Sequence, residues 1–215
     1  VKAMMGSKYV QSDLNDVFLE IKALIKQGKQ LLFTGVPCQI AGAKNVLGES
    51  KLVTYAAVVC HGSISRNSWE HYLNYESTKG KIKSVAMRDK SNGWLNYGLK
   101  FEFEDGSTDI SYRKQTGYFL KCFTDGLFER DRCLNCNYKG NRIFADILLG
   151  DGWGMSDQYP QLEDGIGISS VICLSEKGKE LFKSIQNALN IESIEMENIV
   201  STNPRIISSP KENRE

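Results

Sequence analysis

"QLLFTGVPCQIAGAKNVLGESKLVTYAAVVCHG", residues 30–62, decides the fold. Leu31–Gly35 is an apolar run of strand length, and Pro37 stands where a helix accepts proline, at its first position. "CQIAGAKNVL" then continues as a helix to a stop at Gly48, and the Val-rich run through Val59 reads as a second buried strand. Upstream, Ser12 and Asp13 can cap a helix whose apolar positions Leu14, Val17, Phe18, Ile21, Leu24 and Ile25 recur at three- and four-residue spacing up to Gly28. Downstream, "SRNSWEHYLNYESTKG" reads as another capped helix. Strands alternating with helices across short joins predict a parallel α/β arrangement with helices on both faces.

From residue 81 the period changes. In "YGLKFEFEDGSTDISY", Leu99, Phe101 and Phe103 alternate with Lys100, Glu102 and Glu104, and Asp105-Gly106 suits a two-residue hairpin turn. This predicts an antiparallel hairpin, inserted at about 81–113 or lying at the edge of the sheet, so the fold class is α/β with a mixed sheet. "QTGYFLKCFTDGLF" reads as a helix, "DRCLNCNYKGNRIF" as a loop, "ADILLGDGWG" as a buried strand breaking into a glycine-rich turn, and "SSVICLS" as a strand before the helix "EKGKELFKSIQNAL". One domain over 1–200 and a polar, unspecified tail over 201–215 are expected.

At 215 residues and 41% hydrophobic content the chain can bury a core, and its formal charge of +1, with Lys and Arg dispersed, gives no electrostatic footprint for nucleic acid or an anionic membrane. No apolar run reaches the roughly 18 residues that a membrane span requires, and a cytoplasmic location is expected. The opening "VKAMMGSKYVQSD" reads as the interior of a longer chain.

Six cysteines carry the chemistry. Cys38 and Cys60 each stand where a predicted parallel strand hands over to the next element, the edge at which open α/β sheets bind ligands. Cys133 and Cys136 form "CLNC" among Arg130, Arg132, Lys139 and Arg142, with a spacing that lets two thiolates grip one metal centre. These four would satisfy either tetrahedral zinc or an iron-sulfur cluster. A third possibility is a nucleophilic Cys38 with His61 as its base. Cys173 reads as a core residue, and so does Cys122, which is the first substitute among the ligands. Without a secretion signal, a disulfide framework is not expected. His61 is a candidate proton relay and His71 a surface residue. Asp151, with Gly150 and Trp153 in "GDGWG", marks a turn where a cofactor could approach the backbone, and Ser7 and Lys8 in "GSKY" are candidate flavin or phosphate contacts.

"GSKYVQSD", "FTGVPCQIAGAK", "VVCHGSIS", "MRDKSNGW", "CLNCNYKG", "ADILLGDGWG" and "GISSVICLSEKG" follow the order seen in the coenzyme F420 hydrogenase/dehydrogenase beta-subunit family, which the chain resembles over nearly its whole length. The resemblance implies an oxidoreductase that binds FAD and a 4Fe-4S cluster and exchanges electrons with the deazaflavin coenzyme F420 or another carrier. It implies that Cys38, Cys60, Cys133 and Cys136 are the cluster ligands, and that Gly35 and Gln39 lie in the turn whose hydrogen bonds tune the sulfurs. His61 and Asp151 become the catalytic candidates, and Ser7, Lys8, Gly150 and Trp153 the flavin contacts. Expected partners are an electron-carrier protein or small molecule, and a ferredoxin-like domain or another oxidoreductase subunit. Val36 stands where the family usually has Thr, and Gly152 where an aromatic is common.

Overall fold

The computed structural model describes residues 6–112, 115 and 117–210. In chain order the elements are α1 (Val17–Lys26), β1 (Leu31–Gly35), α2 (Pro37–Leu47), β2 (Val53–Val58), α3 (Arg66–Glu76), β3 (Ile82–Asp89), β4 (Gly98–Phe103) and β5 (Thr108–Tyr112). They continue with α4 (Tyr118–Thr124), α5 (Asp131–Leu134), β6 (Ile147–Asp151), α6 (Met155–Gln158), β7 (Ser169–Cys173), α7 (Glu176–Ile185) and α8 (Met196–Thr202). The described residues form two compact units, one of residues 13–60 and 136–209, the other of those within 6–12, 61–135 and 210.

The first unit carries a four-stranded sheet in the order β1-β2-β6-β7. β1, β2 and β6 are parallel, and β7 returns antiparallel to β6. β2 is apolar along nearly its whole length because it is a central strand, with Val53, Tyr55 and Ala57 at 2% exposure or less. These residues share one core with Phe33 of β1, Ile40 and Ala43 of α2, Leu148 of β6, and Ile199 and Ile206 near the chain end. Burying a large side chain such as Tyr55 or Ile40 contributes about 1.5–3 kcal/mol.

Two expectations change here. The first helix starts one turn later than its caps suggest, at Val17. Asp13 instead accepts a hydrogen bond from the Asn15 amide in a local turn, so Leu14 falls outside the helix. The stretch read as an unspecified tail over 201–215 is described as far as residue 210, where it carries the last two residues of α8 and a 3-10 turn over Pro204–Ile206 with Ile206 buried.

In the second unit β3, β4 and β5 form an antiparallel sheet of their own. The alternation holds, with Leu99, Phe101 and Phe103 buried. The turn is longer than two residues: β4 ends at Phe103 and β5 begins at Thr108, Gly106 takes φ +84°, and Asp105 accepts from the Ser107 amide and hydroxyl. An Asx turn takes the place of the tight hairpin. Tyr72 of α3 stacks on Phe119 of α4 at 4.2 Å and tilts against Phe101 at 6.0 Å, so the aromatic face of the sheet is covered. Burial, and then Glu76, pushes the Tyr72 hydroxyl pKa upward.

Candidate functional site

The parallel strands bring their carboxyl ends to one edge: Gly35 lies opposite Ala57, and Val58 opposite Leu149. Residues at or just past these ends therefore share that edge, and they include Cys38, Cys60 and Gly150–Asp151 at the close of β6. Cys38 is the second residue of α2 and is exposed. Cys38 therefore stands in the first turn of α2, at the positive end of the helix dipole.

The turn before Cys38 is rigid for a reason visible in its residues. Gln39 is buried, and its Oε1 accepts the Val36 N–H at 3.1 Å, closing the helix start. A Cβ on Gly35 would come within 3.0 Å of the same oxygen, so glycine lets Gln39 fold back. Gly35 and Gln39 thus act on the geometry of the turn.

Cys60 lies just past β2, where the Val59 N–H still donates to Leu149 O at 2.7 Å. Its carbonyl accepts from Lys139 Nζ at 2.5 Å. Lys139 is 8% exposed and also donates to the Arg205 carbonyl at 2.7 Å. Three residues earlier, Cys136 donates its N–H to Ser209 Oγ at 3.0 Å, and its Sγ accepts the Tyr138 N–H at 3.4 Å. An amide aimed at sulfur is the kind of contact that stabilises a thiolate ligand and tunes a cluster.

Asp151 closes β6, and its carbonyl accepts from Asn203 Nδ2 at 2.8 Å. A Cβ on Gly150 would meet Val59 Cγ2 at 2.8 Å and Ser170 Oγ at 3.0 Å. Packing between strands explains that glycine without a cofactor. Trp153 is half-buried in the turn leading to α6.

The other unit holds the remaining candidates. His61 Nε2 lies 3.0 Å from the Thr124 carbonyl and 3.7 Å from Glu129 Oε1, with its ring 5.2 Å from that of Phe123. Glu129 is buried, and a Cβ on Gly62 would overlap its Cγ. Isolated bridges from Ile64 to Val10 and to Glu129 tie the loops together around this pair. Cys133, half-buried on α5, donates its N–H to the Arg130 carbonyl at 2.7 Å. Ser7 is half-buried, and Lys8 is exposed with its Nζ donating to the Gly6 carbonyl at 3.1 Å.

None of the six cysteines forms a disulfide. Cys122 is half-buried on α4. Cys173 is half-buried on β7, where burial pushes its thiol pKa upward. Residues that the sequence does not single out are the buried Glu129, Asp146 and Asn203, and Lys139 is read there only as one of the basic residues around the CxxC. Lys139 has a faint signal in "CNYK", three residues beyond Cys136, whereas Asn203 has none.

For an iron-sulfur cluster, the donor chemistry of Cys38, Cys60, Cys133 and Cys136 is the right kind, and the α2 terminus and the Tyr138 amide suit thiolate ligands. Among the described residues no group of three or more His, Cys, Asp or Glu is gathered as a metal-ion site. No helix among the described residues is long and apolar enough to cross a membrane.

Fold and edge together define a mixed α/β protein that presents thiols beside the carboxyl ends of its parallel strands. Residues 28–199 match the family described as the C terminus of the coenzyme F420 hydrogenase/dehydrogenase beta subunit, and the chain belongs to that family. This places it among oxidoreductase subunits. No curated protein matches it in sequence.

Proposed function

We propose that this chain is an electron-transferring domain of an oxidoreductase, exchanging electrons with coenzyme F420 or another carrier through FAD and a 4Fe-4S cluster. The observation that carries the reading is family membership over residues 28–199. Cys38, Cys60, Cys133 and Cys136 would hold the cluster. When bound, flavin supplies two-electron hydride chemistry and the cluster supplies single-electron transfer.

The chain's own residues have distinct tasks in this reading. The α2 terminus at Cys38 and the buried ammonium of Lys139 offset thiolate charge. Gln39 fixes the turn that aims Cys38, and the Tyr138 N–H supports Cys136 Sγ. His61 holds its proton at Nε2 against the Thr124 carbonyl, and with Asp151 it is assigned to proton movement. Ser7, Lys8, Gly150 and Trp153 are the proposed flavin contacts. A ferredoxin-like domain or another oxidoreductase subunit is the electron partner, in keeping with a family of beta subunits.

The test is electron transfer without oxygen. Protein purified anaerobically is given the reduced deazaflavin coenzyme and a viologen dye. Dye reduction by wild type, lost in Cys60→Ala, is expected. Protein that contains iron and flavin yet transfers no electrons from reduced deazaflavin or reduced nicotinamide would overturn the proposal.

A further inference from the structure

Near its end, the first unit's chain reaches Cys60, Cys136 and the Asp151 turn. Asn203, 6% exposed, donates from Nδ2 to the Asp151 carbonyl at 2.8 Å. The Arg205 carbonyl shares the Lys139 ammonium with the Cys60 carbonyl, at 2.7 and 2.5 Å. Ser209 Oγ accepts the Cys136 N–H at 3.0 Å, and Arg205 Nη1 donates to the Ser209 carbonyl at 2.5 Å. Ile199 and Ile206, in the core, fix this segment from below.

We infer that residues 203–209 are a strap that sets the positions of Cys60, Cys136 and the Asp151 turn, which makes Asn203, Lys139 and Ser209 positioning residues of the redox site. The geometry of the strap stands by itself, and what it serves rests on the function proposed above. Fastening this segment does not require polar side chains: burying an amide and an ammonium costs several kcal/mol unless they are well paired, and apolar anchors already do the fastening. Each bond from Asn203, Lys139 and Ser209 to the three sites also engages a main-chain atom. The strap therefore fixes where the Cys60, Cys136 and Asp151 side chains begin while using none of their sulfur or carboxylate atoms. Lys139 adds a positive charge at the Cys60 carbonyl.

The test starts with metal-free protein, in which hydrogen exchange is followed by mass spectrometry. The Asn203→Ala/Ser209→Ala variant keeps both isoleucine anchors. Segments 136–139 and 150–153 should exchange about tenfold faster than in wild type, the effect of losing a hydrogen bond worth about 1–1.5 kcal/mol, while β1 and β4 stay unchanged. Ser209→Ala alone, at a half-buried site, should speed only 136–139 and serves if the double variant folds poorly. Unchanged exchange in both segments overturns the strap.

In protein reconstituted with iron and sulfide, the double variant should lose iron to a chelator several-fold faster, and Lys139→Met should lower the midpoint potential while Lys139→Arg restores it. An exchange shift with normal iron retention and potential overturns the positioning role. If wild-type protein takes up no iron while the double variant shows the exchange shift, the redox reading is overturned and the strap is left as a brace of the sheet edge.

Discussion

Replacing Asp146 by alanine should unfold the chain's first unit at markedly lower denaturant. Asp146 is 7% exposed at the amino end of β6. Its Oδ2 accepts the Tyr55 N–H at 2.8 Å, and its Oδ1 accepts the Ser175 hydroxyl at 2.6 Å. Ser175 in turn caps α7 by accepting the Gly178 N–H at 3.1 Å. One carboxylate thus joins β2, β6 and the start of α7. Alanine leaves the Tyr55 amide buried without that acceptor, which costs about 1–3 kcal/mol, and removes a charge-assisted bond worth about 1.5–3 kcal/mol. Because Ser175 is only partly buried and water can replace its partner, about 3 kcal/mol is the expected total. For a chain of this size that is a fall in Tm of roughly 6–12 °C. Asn at this position keeps an oxygen for the Tyr55 amide and should lose about half as much. Urea unfolding followed by far-UV circular dichroism measures both variants. A loss below about 1 kcal/mol for alanine would refute the reasoning that this carboxylate organises the sheet.

Gly178→Ala should also destabilise, by roughly 2 kcal/mol in the same assay, because overpacking outweighs the helix preference of alanine. The new Cβ would overlap the Asp146 carbonyl oxygen, which cannot withdraw without disturbing the bond it accepts from the Leu174 N–H at 2.8 Å. In the other unit, hydrogen bonds that the Lys79 ammonium donates to Asp109, and then to Glu76, raise its pKa from the ordinary 10.5 to about 12. The folded value lies above the unfolded one, so the stability advantage of wild type over Lys79→Met should be constant below pH 10.5 and vanish as pH rises through about 12. Iodoacetamide at pH 7.5 should label exposed Cys38 at the α2 terminus well before Cys173, whose thiol pKa is raised by burial, as peptide mass spectrometry would show.

The parallel core is legible in the sequence because its signals are local. Pro37 after an apolar run, and Val53 to Val58 as a buried strand, each fix an element within a few residues. The alternation of Leu99, Phe101 and Phe103 is equally clear. That the hairpin strands form a separate sheet with β3 is not readable, since period 2 says which face is buried and not which sheet a strand joins. Cys38 and Cys60 can be assigned to one edge because parallel strands must end together. Lys139, Asn203 and Ser209 cannot, because their partners are main-chain atoms distant in sequence and leave no pattern. Gly150 and Gln39 read as cofactor contacts on their motifs, whereas strand packing and turn closure already account for their identities.

The most direct measurement is iron, sulfide, zinc and flavin content, with an absorption spectrum, on protein purified without oxygen and on a Cys133→Ala/Cys136→Ala variant. About four irons per chain and a broad visible band that dithionite bleaches are expected, both lost in the variant. Colourless wild-type protein that holds a single zinc and no iron would contradict the assignment of these cysteines to a cluster.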